Sequence, residues 1–207
     1  MSPKAKAAET TEMESLQAEK ERACHRIFNA ACDLFYRKGI RAVGVEAIAE
    51  QAGATKMTLY RAYTSKDELV AQYLRRASEE VFRHWNERLA QHAGDPRKQL
   101  SVVFYEMSCR MNEPNSRGCA MANAAVELTD PDHPGRKIIE QHKTEVRSRL
   151  LRLCTEIGAR DPVALADGLF LLMEGAMSST QTLGSGPGNS LERAAEALIE
   201  SQLARVT

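Results

Sequence analysis

The side chains best suited to chemistry lie between Val45 and Leu69, in the run VEAIAEQAGATKMTLYRAYTSKDEL. Thr55, Lys56, Thr58, Tyr60 and Arg61 gather hydroxyls and cations within about two helical turns. On a helix they form a polar side, with Leu59 facing the other way into a small core with Ile48 and Phe35. Hydroxyls and cations at the N-terminal end of such a helix suit phosphate oxygens and base edges. Just before them, Val45, Ile48, Ala49 and Ala52 mark a second short helix, closed by Gly53. Two short helices meeting at a tight glycine turn have the grammar of a helix-turn-helix. The glycine lets the backbone turn where a Cβ would clash.

The rest of the chain must position this stretch. A helical pattern runs from Leu16 to Lys38 through Ile27, Ala31, Leu34 and Phe35, and Gly39 ends it. Residues 1–15 lack apolar periodicity and read as a flexible tail. Thr55 can cap the helix that carries Leu59 and Tyr60. Ser65-Lys66-Asp67-Glu68 is a capping box that opens a long helix carrying Leu69, Tyr73, Phe82, Trp85 and Leu89. Five more helical patterns follow, begun or broken at Pro96, Pro114, Pro134, Pro162 and the run Gly184-Ser185-Gly186-Pro187-Gly188. The expected total is nine helices and no strand, with domains at 16–64 and 65–207.

Composition narrows the class. Of 207 residues, 43% are apolar, 27% charged and 5% aromatic, which describes a globular chain rather than a disordered one or a large sheet. No apolar run approaches the ~18 residues of a membrane span, and the N-terminus has no signal-peptide core, so a cytoplasmic, membrane-free protein is expected. The zero net charge conceals an asymmetry. Lys20–Arg76 holds 11 basic and 6 acidic residues, a net of +5; Ala77–Thr207 holds 15 and 18, a net of −3. A basic segment before a mildly acidic body fits a polyanion binder with a second module. The five cysteines, at 24, 32, 109, 119 and 154, form no CxxC pair, so no metal site is expected and reduced thiols are the plain reading. No E-x-x-H pair and no G-x-S-x-G elbow occurs, so no catalytic residue or cofactor is assigned. Gly184–Gly188 has no preceding strand and reads as a linker rather than a phosphate loop.

Three segments together carry a resemblance: F-Y-R-K-G-I at 35–40, A-x-x-A-G-A-T-K-x-T-L-Y at 49–60 and Y-x-S-K-D-E-L at 63–69. They are similar to the TetR/AcrR family of bacterial transcriptional regulators, most strongly over Arg22–Tyr73. The resemblance implies an all-α fold, with a three-helix DNA-binding domain before a six-helix effector-binding and dimerisation domain. It implies a repressor that binds palindromic double-stranded operator DNA as a homodimer and is released by a small ligand. The fourth helix, shared by both modules, would be the lever. Thr55, Lys56 and Thr58 would sit in or beside the major groove, Tyr60 and Lys66 would reach the backbone, and Arg41 and Gly44 would flank the groove. Met57 departs from the family pattern, where Gly or Ala often stands, and Ala62 replaces a frequent histidine. A regulator without an effector, a thiol-responsive regulator using Cys109 or Cys119, and a helical enzyme or carrier are the alternatives.

The second module offers weaker signals. Phe82, Trp85, Phe104, Met107, Met111, Met173 and Met177 could line a mainly apolar pocket, with Cys119, Asn123 and His142 as polar anchors. A structural Asn123 and a core His142 are the plainer readings. Glu174 stands in an apolar run, where it could pair across a dimer or face a ligand. Gly168, Gly175, Ala176, Ala194, Ala195 and Leu198 lie on the last two helices. Their mostly small side chains would allow two subunits to approach closely.

Overall fold

The computed structural model describes residues 3–183 and 188–203. All regular structure among them is helical: α1 (Pro3–Lys38), α2 (Val45–Gln51), α3 (Lys56–Ala62), α4 (Lys66–Ala90), α5 (Pro96–Met111), α6 (Ala120–Glu127), α7 (Pro134–Glu156), α8 (Pro162–Leu183) and α9 (Gly188–Gln202). Of the expected Gly184–Gly188 linker, residues 184–187 lie outside the described residues and Gly188 opens α9; the C-terminal end of the last expected helix at Ala204 also lies outside them. No described helix is long and apolar enough to cross a membrane.

The chain forms two compact units, Met1–Tyr73 and Leu74–Thr207. In the first, α1, α2 and α3 pack on one another. Ile27, Ala31, Ile48, Leu59, Leu69 and Val70 are buried essentially completely, and the Phe35 and Tyr73 rings meet at 5.7 Å. Helix α1 begins at Pro3, not Leu16. Residues 4–15 lack an apolar stripe but are rich in Ala, Lys and Glu, whose intrinsic propensity suffices for helix. The unit also continues past the expected boundary at 64, because Leu69, Val70 and Tyr73 of α4 are buried with it.

In the second unit, α7 packs on α5, α6 and α8, and α9 packs on α5 and α8. Its core holds Trp85, Leu100, Phe104, Met107, Leu150, Leu153, Leu165, Leu169 and Ile199. Polar links tie the helices at their edges. Arg147 of α7 pairs with Asp167 of α8 at 2.5 Å, and Glu106 of α5 pairs with Arg88 of α4 at 3.1 Å. Asp95 and His133 cap α5 and α7, accepting from Lys98 and Gly135 backbone N–H groups at 2.9 Å.

Candidate nucleic-acid interface

The turn between α2 and α3 is built from Gly53 and Thr55. Gly53 has φ +60, a conformation that glycine adopts without strain. Two residues later Thr55 caps α3: its Oγ1 accepts from the Thr58 backbone N–H at 3.1 Å and lies 2.9 Å from Thr58 Oγ1. That satisfies one of the donors a helix start leaves unpaired and fixes the first turn of α3. From α1, Arg26 Nε donates to the Ala52 carbonyl at 3.2 Å, clamping the end of α2. Gln51 of α2 donates to Asp33 of α1 at 3.0 Å.

With Leu59 fully buried, the opposite side of α3 is presented outward. Lys56, Met57, Tyr60 and Arg61 are exposed, and Thr58 is half-buried. Lys56 Nζ donates to Glu46 Oε1 of α2 at 2.5 Å. Each group holds the other charged: the Lys56 pKa is raised and that of Glu46 lowered, chiefly through this hydrogen bond. Both side chains are more than half exposed, so the pair organises the surface more than it stabilises the fold. Glu46 gave no signal in the sequence. A carboxylate ten residues from a lysine is unremarkable until two helices cross.

Arg41 and Gly44 are exposed in the segment between α1 and α2, and Gly44 occupies the N-cap position of α2. Lys66 sits differently from a solvent-facing cation. Its Nζ donates to the Ile40 carbonyl at 2.7 Å, tying the start of α4 to that same segment. The capping box forms, with a shift in its return bond. Ser65 Oγ accepts from the Glu68 backbone N–H at 3.1 Å, while Glu68 reaches back to Thr64, accepting from its N–H at 2.9 Å and its hydroxyl at 2.6 Å. Tyr63 is buried beside this corner and donates to the Cys24 carbonyl at 3.4 Å. Burial pushes its pKa up to about 12.

Residues 27–73 match the family model for bacterial regulatory proteins of the tetR family. The chain is 22% identical over 152 residues to the HTH-type transcriptional regulator YjdC of Escherichia coli, spanning 73% of this chain and 80% of that one. A TetR-family transcriptional regulator from Streptomyces coelicolor superimposes with a TM-score of 0.83 at 26% identity, covering 88% of this chain and 96% of its own. A TetR-family regulator from Agrobacterium tumefaciens shares the fold at 18% identity, with a TM-score of 0.76 over 89% of this chain and all of its own. The chain carries the DNA-binding domain of the tetR family over residues 27–73. It is therefore a DNA-binding transcriptional regulator of the helix-turn-helix type, from a family without enzymatic activity. The outward side of α3 lies within the matched residues.

The second unit disposes its candidate residues in three ways. Trp85, Phe104 and Met107 lie in the core, with Phe82, Met173 and Met177 packed against it. Among the described residues, Trp85 Nε1 is the one buried side-chain nitrogen or oxygen without a hydrogen-bond partner. The polar candidates are engaged within the chain. Asn123 donates to the Arg117 carbonyl at 2.9 Å and accepts from Gln181 at 2.6 Å. His142 is buried, bonded to Ser78 Oγ at 2.9 Å and set against the Phe82 ring at 4.9 Å. Burial pushes its pKa down to about 4. Cys119 accepts from Lys143 Nζ at 3.4 Å, and Lys143 pairs with Glu174 at 2.5 Å, so Glu174 has its partner in the same chain. Cys109 is exposed beside the Tyr105 hydroxyl, whereas Cys154 is buried, with its pKa pushed up to about 11.

The small residues divide likewise. Ala176 and Ala195 are buried inside the chain. Gly168 faces Leu198 so closely that an added Cβ would lie 3.0 Å from Leu198 Cδ2. Gly175 and Ala194 are exposed, and nothing stands within 4 Å of a Cβ built on Gly175. Gly168 and Leu198 are half-buried, so Gly175 and Ala194 are the most open members of the set.

Proposed function

We propose that this regulator is a ligand-inducible repressor that binds a palindromic operator as a homodimer. The capped, outward-facing first turn of α3 carries the reading. Thr55 and Thr58 are locked to each other, and Lys56 is held beside them as a cation, so these groups reach DNA with little further ordering. Thr55, Lys56 and Thr58 sit in or beside the major groove, where the Lys56 cation also reaches a phosphate. Tyr60, Arg41, Gly44 and Lys66 serve the flanking backbone. Lys56→Ala is expected to weaken operator binding and to lower the slope of log K against log[salt] by ~0.9, the loss of one phosphate contact. Gel-shift titration at two salt concentrations checks this, with circular dichroism confirming the fold. An unchanged slope and affinity would remove Lys56 from the interface.

Two-fold pairing follows from the way helix-turn-helix proteins read DNA, with half-sites about one helical turn, ~34–36 Å, apart. The outer side of α8 supports it: Ala164, Leu171, Gly175, Ser178 and Thr182 are all exposed and recur every three, four or seven residues. Such a stripe of small and apolar groups suits a second copy of the same helix. A stable monomer in sedimentation at micromolar concentration would contradict this pairing.

The effector is a small, mainly apolar molecule held by the second unit. The methionines at 107, 111, 173 and 177 give that core adaptable walls. The unpaired Trp85 Nε1 favours a ligand that carries a hydrogen-bond acceptor, since a buried N–H without a partner costs ~1–3 kcal/mol. Release of DNA requires the ligand to prefer the non-binding state. A coupling of ~1–3 kcal/mol weakens operator affinity ~5–150-fold, and DNA weakens ligand affinity by the same factor. Trp85 is the sole tryptophan, so its fluorescence is expected to report the titration. A panel of neutral, drug-sized acceptors, titrated with and without operator duplex, is the measurement. Equal affinity in both cases would rule out induction.

A further inference from the structure

We propose that Met57 determines base preference, by packing its side chain on the C5-methyl group of a thymine in the major groove. The inference rests on the DNA-binding reading of α3 and goes beyond it to a single side chain and a single chemical group. Met57 is 64% exposed, the second residue of α3, between Lys56 and Thr58. Among the described residues of the first unit, the large hydrophobics left exposed are Met13, Met57 and Tyr60, and two of these three stand on α3. Met57 and Tyr60 are three apart, so they share one side of the helix. Tyr60 carries a hydroxyl that gives its exposure a polar reason; Met57 has none.

The surroundings sharpen the assignment. Thr55 and Thr58 bond to each other, and Lys56 is drawn toward Glu46. Met57 therefore stands as an apolar element among polar groups that already have partners. Recognition helices present their N-terminal residues to base edges. In the major groove the edges of guanine, cytosine and adenine offer donors and acceptors, which a thioether serves poorly. Thymine alone of the four bases adds a methyl group. The unbranched methionine side chain can follow that methyl without demanding one rotamer. Its burial against DNA supplies binding free energy at a position where a shorter residue would leave a gap.

The test begins with selection of bound duplexes from a randomised pool by the full-length protein, followed by replacement of each thymidine in a half-site by deoxyuridine. That change deletes one methyl and leaves the pairing edge intact. Wild-type protein is expected to lose about fourfold in affinity at one thymine, the transfer value of one methyl-sized group. Met57→Ala is expected to bind the thymidine and deoxyuridine duplexes equally, and Met57→Leu to keep most of the preference. Indifference of the wild type to every deoxyuridine replacement would overturn the proposal, as would a full thymine preference in folded Met57→Ala. The wild-type measurement needs no variant to fold. A protein that selects no duplex at all would overturn the DNA-binding reading itself, an outcome distinct from binding without methyl preference.

Discussion

Gly118→Ala is expected to destabilise the second unit by about 3 kcal/mol or more, because an added Cβ there meets the closest contact among the glycines described. Two independent costs coincide there. Gly118 has φ +67, which costs a residue with a Cβ about 1–2 kcal/mol. The added Cβ would also lie 2.4 Å from the Met177 carbonyl oxygen and 3.1 Å from Thr180 Oγ1. The first of these is backbone inside α8, so relief requires moving a helix rather than turning a side chain. The close approach sits just before Cys119 and α6, so the same change should disturb the site of Asn123 and Gln181. Thermal unfolding followed by circular dichroism checks the prediction, with a fall in Tm on the order of 10 °C. Gly158→Ala is the control: its φ is +72 but nothing lies within 4 Å of its Cβ, so only the conformational cost remains. Equal effects at the two positions would show that α8 yields easily and that the packing at Gly118 is loose.

Acidification is expected to weaken the second unit through His142. The imidazole is only 5% exposed, and it lies against Phe82 with Lys143 as its chain neighbour. Burial, with a smaller contribution from the Lys143 charge, holds its pKa near 4, against an ordinary 6.5. Between those values the unfolded chain binds a proton that the folded chain refuses. Stability therefore rises with pH across this window, and is lost as pH falls from about 6.5 toward 4. The whole shift corresponds to at most about 3 kcal/mol. Urea unfolding at several pH values measures the slope. His142→Gln retains a hydrogen-bonding partner for Ser78 but cannot be protonated in this range, and it is expected to flatten the acid limb. An equally steep limb in that variant would assign the acid sensitivity to other groups.

The DNA-binding surface was legible because its signals are local. A glycine that must turn, a threonine that caps three residues on, and apolar positions at helical spacing all act within a few residues of one another. Gly53, Thr55 and Ser65 could be assigned their backbone roles before any packing was known. The same locality leaves the start of α1 unmarked: residues 4–15 have helix propensity without the apolar stripe by which a buried helix is recognised. It also leaves Glu46 without a local signal, and Lys66 without any sign of its bond to Ile40. Those partners are ten and 26 residues away. The second unit shows the sharper limit. Gly168 and Ala195 read as surfaces for a partner chain, yet Gly168 receives Leu198 and Ala195 is 1% exposed within its own chain. Glu174, open to a ligand or a second subunit in the sequence, is paired with Lys143. The helices, the tight turn and the polar side of α3 are legible in the residues alone, since each depends on backbone preferences of near neighbours. Which helix each small residue admits, and which charge each ion finds, is settled by packing. Those outcomes depend on how helices cross, and contacts between distant segments are not written in the periodicity of either one.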